Sequence, residues 1–212
     1  MLAVSGSEHP DGAIVDVGPA EVESLLSGSG CYLRAALDAE GIISAVTSVP
    51  AGATQPEVWF VEVRESRATP PAVNLVAFTG RGLPDGALLD QTAASNVGVS
   101  STDQLGAVRW WPATGEVDQI YVSPDWRRHR IGTRLVLTAG CLAIARGWSR
   151  LWSDGQRTEL GERFRDTADW RHRTADLTHL APPMTPPISA QSEHSRNVYV
   201  GPDGPGTNTP LE

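Results

Sequence analysis

Four arginines, Arg127, Arg128, Arg130 and Arg134, fall within eight residues, with Gly132 among them. A guanidinium is always charged and presents a planar fork of N–H donors that matches phosphate oxygens. The apolar run beginning at Ile131 has helical spacing, so this cluster stands at a helix start. The first turn of a helix leaves several N–H groups without partners, and the macrodipole places partial positive charge there. With a glycine to let the backbone approach closely, such an end binds phosphate well. The chemistry on offer is the capture of a phosphate-bearing ligand. The competing reading is a tight strand-to-helix turn carrying solvated arginines. Just upstream, Glu116 and Asp118 lie two apart on an apparent strand, a spacing that sends both carboxylates to one face. Taken singly, each reads as a solvated or salt-bridged strand carboxylate.

A strand, a turn and a long helix must hold these groups. Glu116 to Val122 reads as the strand, paired with Val108 to Trp111 through a tight turn at Pro112 to Gly115. Ile131 to Arg146 is the best helix: Ile131, Leu135, Leu142 and Ala145 follow its period, and Val136, Leu137, Ala139, Cys141 and Ile144 widen the apolar face until it must be largely buried. Val58 to Val63 and Val73 to Phe78 form a second strand pair, rich in β-branched and aromatic residues. Ala13 to Val17 reads as a first strand, Pro19 to Leu26 as a short helix, and Cys31 to Ala39 as a helix stopped by Gly41. Pro50 to Pro56 is a loop. Thr79 to Gly106 reads as a long insertion or lid loop with a short helix around Ala87 to Ala94. Leu151-Trp152 sits in a short strand and Thr158 to Asp166 in a helix. Ala181 to Glu212 holds 7 of the 16 prolines and reads as an extended tail, with Asn197 to Val200 as one last strand. The domain therefore spans residues 1–180 and the tail 181–212. Strands first, then strand–helix–strand–helix, predict an α/β domain of three layers around a mixed sheet.

Composition narrows the classes. The 212 residues carry 17 cations, all arginine, against 25 carboxylates, a net charge of −8. Without lysine there is no Schiff-base chemistry. The charge is uneven: residues 1–108 sum to −9, residues 109–173 to +4 and residues 174–212 to −3. One basic segment inside an acidic chain invites an anionic ligand there and argues against a protein that coats nucleic acid or an anionic membrane. No apolar run spans a bilayer, and Met1 to Gly12 lacks the basic and apolar regions of a secretory signal. Two distant cysteines, Cys31 and Cys141, predict neither a disulfide framework nor a zinc site, and the expected compartment is the cytoplasm.

The stretch from Glu116 to Leu135 resembles motif A of the GNAT superfamily, the acyl-CoA-dependent N-acyltransferases. That pattern is a strand ending in Val-x-Pro, then Arg/Gln-x-x-Gly-x-Gly/Ala, then a long helix. Val122-Ser-Pro124 matches the strand end, Arg127 the first loop position, Gly132 the last and Leu135 the first helix anchor. Arg130 stands where the first glycine usually lies. Leu151 to Asp154, the helix through Phe164, and Trp170 resemble the family's next strand and helix. The resemblance implies an α/β (α+β) fold, a GNAT-like three-layer α-β-α arrangement around a central mixed, mostly antiparallel sheet. It further implies acetyl-CoA as co-substrate, no metal, and direct attack by a bound primary amine in a ternary complex. Pantetheine would lie against Ile120, Tyr121 and Val122. The pyrophosphate would lie on Arg127, Arg128, His129, Arg130, Gly132, Thr133 and Arg134. Glu116 and Asp118 are the implied bases. A tyrosine that often protonates the departing thiolate has Phe164 as its nearest equivalent, so no residue is assigned as general acid.

Other constellations lead less far. Trp110-Trp111 could stack on a substrate, but alternation along a strand sends one of them to the core. His172 and His179, with Asp176 between, lack a familiar metal spacing. There is no Gly-x-Ser-x-Gly elbow, and Gly80-x-Gly82 lacks the rest of a phosphate loop. The expected acceptor is a small-molecule or peptide amine, with no membrane or nucleic-acid partner; a homo-oligomer is compatible with all of this. Two rivals stand beside the transferase. One is a GNAT-fold protein that binds acyl-CoA without catalysis, and the other is a GNAT-like enzyme modifying a nucleic-acid base, which salt-sensitive DNA or RNA binding would reveal.

Overall fold

The computed structural model describes residues 2–6, 9–15, 32–49, 56–166 and 174–181. The centre is built from two apolar strands, β5 (Trp59–Glu65) and β6 (Ala72–Phe78), which pair antiparallel with Trp59 opposite Phe78. Their rings stack with centroids 4.9 Å apart. The hairpin of β8 (Gly106–Trp110) and β9 (Val117–Val122) joins on the β6 side, and the short β7 (Leu88–Asp90) runs parallel to β5 at the other edge. The result is a mixed, mostly antiparallel five-stranded sheet of order β7-β5-β6-β8-β9. A second sheet, order β2-β1-β3-β4, contains β1 (Leu2–Gly6), β2 (His9–Val15), β3 (Tyr32–Leu37) and β4 (Ile43–Val49).

Both sheets contact α2 (Ile131–Ala145), which follows α1 (Gln91–Val97) in the chain. It packs on β6, β8 and β9 of the first sheet and on β2, β3 and β4 of the second. That explains an apolar pattern too wide for a one-sided helix. Leu135, Ala139, Leu142 and Ala143 are fully buried on it, in one core with Val108 and Trp110 of β8 and with Ala35, Ile43 and Val46 of the second sheet. Burying a leucine of this kind contributes about 1.5–3 kcal/mol. The opposite face of the five-stranded sheet is covered in part by α1, whose Ala94 packs with Trp59, Val61 and Phe78. Asp90 caps this helix by accepting from Ala93 N–H at 2.7 Å, and Gly98 ends it in the left-handed region. The last elements are β10 (Gln156–Arg157), α3 (Glu159–Asp166) and β11 (His179–Leu180), with β10 and β11 parallel.

Several expectations need correction. Cys31 to Ala39 reads as a helix, yet Tyr32–Leu37 is strand β3. Asp38 accepts from the N–H groups of Glu40 and Ile42 at 3.1 and 2.8 Å, and Gly41 adopts φ +78°, so Gly41 serves a hairpin turn rather than a helix end. Helix propensity across Arg34-Ala35-Ala36 yields to pairing with β4, which lets the second sheet cover α2. The first strand is not Ala13 to Val17: β2 spans His9–Val15 and pairs with the unanticipated β1. Residues 79–106, read as an insertion or lid, contain β7, α1 and a 3-10 turn, and β7 is hydrogen-bonded into the sheet. Leu151-Trp152 supplies a single bridge, Trp152 to Glu116, instead of a strand. The expectations at Pro19 to Leu26, at residues 50–55 and at Asn197 to Val200 lie outside the described residues. No helix among the described residues is long and apolar enough to cross a membrane.

Candidate functional site

The site starts from one irregularity in the β8–β9 hairpin. Arg109 faces Gln119 but Trp110 faces Val117, so Asp118 is an extra residue, a β-bulge. Val117 and Ile120 pack on the core under α2, while Asp118 and Gln119 between them both leave on the opposite face. Among the described residues the backbone that meets the outer edge of β9 is that of Trp152: Val117 N–H donates to the Trp152 carbonyl at 2.8 Å, beside the Glu116–Trp152 bridge. Beyond that point the two segments part, since Gln156 and Arg157 pair with β11. Ser123 N–H turns inward to the Leu105 carbonyl at 2.9 Å. Strand alternation then turns the backbone groups of Tyr121 toward β8 and those of Ile120 and Val122 outward. Arg127 Nε reaches the Val122 carbonyl at 3.3 Å.

The chain then crosses a 3-10 turn at Pro124–Trp126 into α2. The first bond of the helix runs from Arg134 N–H to the Arg130 carbonyl, 3.0 Å, leaving the N–H groups of Ile131, Gly132 and Thr133 outside its ladder. Arg130 takes the N-cap position with φ +59°, and Arg128 has φ +65°. A left-handed conformation costs a non-glycine residue roughly 1–2 kcal/mol. Arg128, His129 and Arg130 are exposed, with His129 Nδ1 2.9 Å from the Arg127 carbonyl and its ring edge-on to Trp126. A Cβ on Gly132 would lie 3.4 Å from the Phe164 ring and 3.5 Å from Val122 Cγ2. Thus α3 brings Phe164 to the mouth of the loop.

Arg134 departs from expectation. It is 2% exposed and turned inward, donating to the carbonyls of Pro56 (2.8 Å) and Val58 (3.4 Å) and pairing with Asp85. Asp85 also accepts from Val58 N–H at 2.8 Å. Arg134 is therefore a strut between the helix start and the entry to β5, not a surface phosphate ligand. At the fourth position of the helix its side chain lies on the stripe that packs inward, alongside Ile131, Leu135 and Thr138.

On the sheet face away from α2, three strands contribute an ion-pair network. Arg109 of β8 donates through Nε (3.2 Å) and Nη2 (2.8 Å) to Glu65 Oε2 of β5, and through Nη1 to Asp118 of β9. Asn74 of β6 donates to Glu65 Oε1 at 2.7 Å. Arg109 first, then Asn74, holds the Glu65 carboxyl below its ordinary pKa. Because the folded-state value is depressed, this stabilisation is present at neutral pH and fades as the pH falls through the depressed value. Beside the network lies a cavity of about 200 Å³ lined by Asn74, Gln104, Ala107, Arg109, Gln119 and Tyr121. The carboxylate of Glu116, half-buried at the parting of β9 and Trp152, has no hydrogen bond or ion pair with a described residue.

The pattern of the acetyltransferase (GNAT) family matches residues 86–162. This segment is a GNAT acetyltransferase domain. No curated protein and no solved structure matches the chain. The GNAT segment runs from the turn before β7 to the middle of α3, so it includes the bulged strand, the arginine loop and all of α2.

Within the GNAT domain the structure brings together Ile120, Val122, Arg127, Arg128, His129, Arg130, Gly132 and Thr133 along one strand edge and one helix start. Tyr121 goes elsewhere: its side chain lines the cavity on the other face. Glu116 stays near the edge, and Asp118 is drawn into the Arg109 network. Sequence reasoning missed Glu65, Asn74, Gln104, Arg109 and Gln119. Period-two counting from Tyr121 through Gln119 to the facing Arg109 and Ala107 would have found part of this wall. Of the two tryptophans, Trp110 is fully buried beside Trp148 and Trp111 is half-buried. His172 lies outside the described residues, and His179 is an exposed member of β11. Among the described residues no three His, Cys, Asp or Glu side chains are grouped to hold a metal ion.

Proposed function

We propose that this protein transfers an acetyl group from acetyl-CoA to a primary amine by direct attack in a ternary complex. The observation that carries the reading is the junction, within a GNAT domain, of an outer strand edge at Ile120 and Val122, where no strand pairs among the described residues and Arg127 Nε is the side-chain donor on the Val122 carbonyl, with an open helix start. That start is ringed by Arg127, Arg128 and Arg130. Residues of this kind fit the co-substrate. First-turn N–H groups and guanidinium donors suit a diphosphate, and free strand groups suit the amides of a pantetheine arm. Acetyl-CoA supplies the activated thioester.

The protein's own part is to hold the amine and remove its proton. Glu116 is the favoured base, because its carboxylate is unshared with any described residue and stands where β9 parts from Trp152. Asp118 divides Arg109 with Glu65, so its oxygens are partly committed. The amine nitrogen attacks the thioester carbon, the C–S bond breaks, and the thiolate takes a proton from water, since Phe164 has none to give. An acyl-cysteine route through Cys141 has no support: the thiol is buried, and loss of solvation pushes its pKa up to about 11.

Isothermal titration with acetyl-CoA, followed by thiol release over an amine panel, tests the reading. Binding without thiol release would make the protein an acyl-CoA-binding module and not an enzyme. Glu116→Gln is expected to lower kcat near neutral pH by about a hundredfold, the lower end of what a positioned base contributes, and Asp118→Asn by less. Unchanged rates in both variants would remove the carboxylates from the mechanism. Arg130→Gly is expected to have effects of opposite sign. Relief of the left-handed strain, partly offset by glycine's larger freedom when unfolded, raises stability by up to about 1 kcal/mol. Loss of one exposed cation weakens acetyl-CoA binding by about three- to tenfold at low salt, and by less at high salt. Thermal melts and titrations at two ionic strengths read both; a binding constant indifferent to this change would take Arg130 out of the phosphate site.

A further inference from the structure

The sheet cavity and the network beside it also bear on what the acceptor is, an inference that rests on the transferase reading. The cavity is small: about 200 Å³, below the ~300–1,000 Å³ usual for drug-sized ligands, so it takes a fragment or the end of a chain. Two residues of its wall, Gln119 and Tyr121, belong to the strand whose outer edge faces the co-substrate side. A group seated there lies one strand in from the reacting edge.

The lining contributes one charged residue, Arg109, and the carboxylates of Glu65 and Asp118, which lie outside the lining, pair with that guanidinium. Among the described residues Arg109 is the only cation lining the cavity, and three of its five N–H donors are spent on Glu65 and Asp118. Two carboxylates against one guanidinium leave the network at −1. A guanidinium with its fork free would recognise a substrate carboxylate, as in bidentate ion pairs. Here that fork is filled by the protein's own acids, and a third carboxylate would approach two like charges. An ammonium meets the reverse: attraction to the network and a lining of amide and hydroxyl dipoles from Asn74, Gln104 and Tyr121. Asn74 spends an N–H on Glu65, which leaves its carbonyl oxygen as the acceptor it can offer to a cation.

We infer that the acceptor is a cationic amine bearing no carboxylate beside the amino group, such as a decarboxylated amine or diamine, and that the Glu65–Arg109–Asp118 network excludes α-amino acids. The rival, an acceptor read through its carboxylate by Arg109, predicts the opposite preference.

Matched pairs that differ only in that carboxylate make the test: cadaverine against lysine, and tyramine against tyrosine, each assayed by thiol release with saturating acetyl-CoA. The decarboxylated member is expected to have the higher kcat/KM by at least about tenfold at low salt, with the ratio shrinking as salt screens the network. Glu65→Gln, which brings the network to neutrality, is expected to reduce the ratio about fivefold or more. If that variant does not fold, the salt dependence in the unmodified protein still separates charge from size, because exclusion by shape does not respond to salt. Equal rates, a preference for the amino acids, a ratio indifferent to salt, or acetyl-CoA binding with no turnover of either member would each overturn the inference. Failure to bind acetyl-CoA would overturn the transferase reading itself and is scored separately by titration.

Discussion

Gly132→Glu is expected to reduce acetyl-CoA affinity at least about a hundredfold, because a tethered carboxylate would occupy the site that phosphate needs. The N–H groups of Ile131, Gly132 and Thr133 lie outside the hydrogen-bond ladder of α2 and carry the positive end of its dipole. A glutamate side chain there supplies its own anion to those donors and repels a second one. Bulk acts in the same direction, since the Cβ alone would lie 3.4 Å from Phe164 and 3.5 Å from Val122. A methyl group at that distance is in ordinary contact, so Gly132→Ala should bind within a few-fold of the unmodified protein and serves as the control. A carboxylate in the first turn favours the helix, so thermal melts of the glutamate variant should show a folded protein. Acetyl-CoA affinity that survived this change would place the phosphates elsewhere and remove the main support for the co-substrate site.

The second large effect concerns stability. Arg134→Met is expected to cost about 3 kcal/mol, the low end for breaking a buried charge pair, because Asp85 keeps some solvent and the Val58 N–H as a partner. Methionine fills much of the volume but leaves the carbonyls of Pro56 and Val58 without the guanidinium that now serves them. At roughly 2–4 °C per kcal/mol for a chain of this size, the melting temperature should fall by about 6–12 °C. Arg134→Lys should recover only part of the loss, as one ammonium cannot span three acceptors held by a planar fork. A fall of less than about 2 °C would mean that the strut contributes little net stability after desolvation.

These two residues stand only two positions apart in α2, and they show what could be read from the chain alone. Gly132 and its neighbouring arginines were legible because a helix start and a charge cluster are local features. The same holds for the Ile131 to Ala145 helix, the β5–β6 pair and the β8–β9 hairpin, each written within a short window of period and turn residues. The inward turn of Arg134 was not legible. It depends on Pro56, Val58 and Asp85, which are 49 to 78 residues away in sequence.

The same reason separates the other successes from the corrections. The residue types between Cys31 and Ala39 favour a helix in isolation, and only pairing with β4 over the face of α2 makes Tyr32–Leu37 a strand. Leu88–Asp90 is too short to announce itself, and it becomes a strand because β5 offers a parallel partner. Asp118 and Glu116 are equivalent when counted along β9. The bulge and Arg109 make them different, by tying one into a network and leaving the other at the parting edge. Local period and residue type thus determined where an arginine-ringed helix start stands in this protein. Tertiary pairing and burial, which act across the chain, decided which arginines stay on the surface, which of the two carboxylates is tied to a described residue, and what charge the sheet network carries.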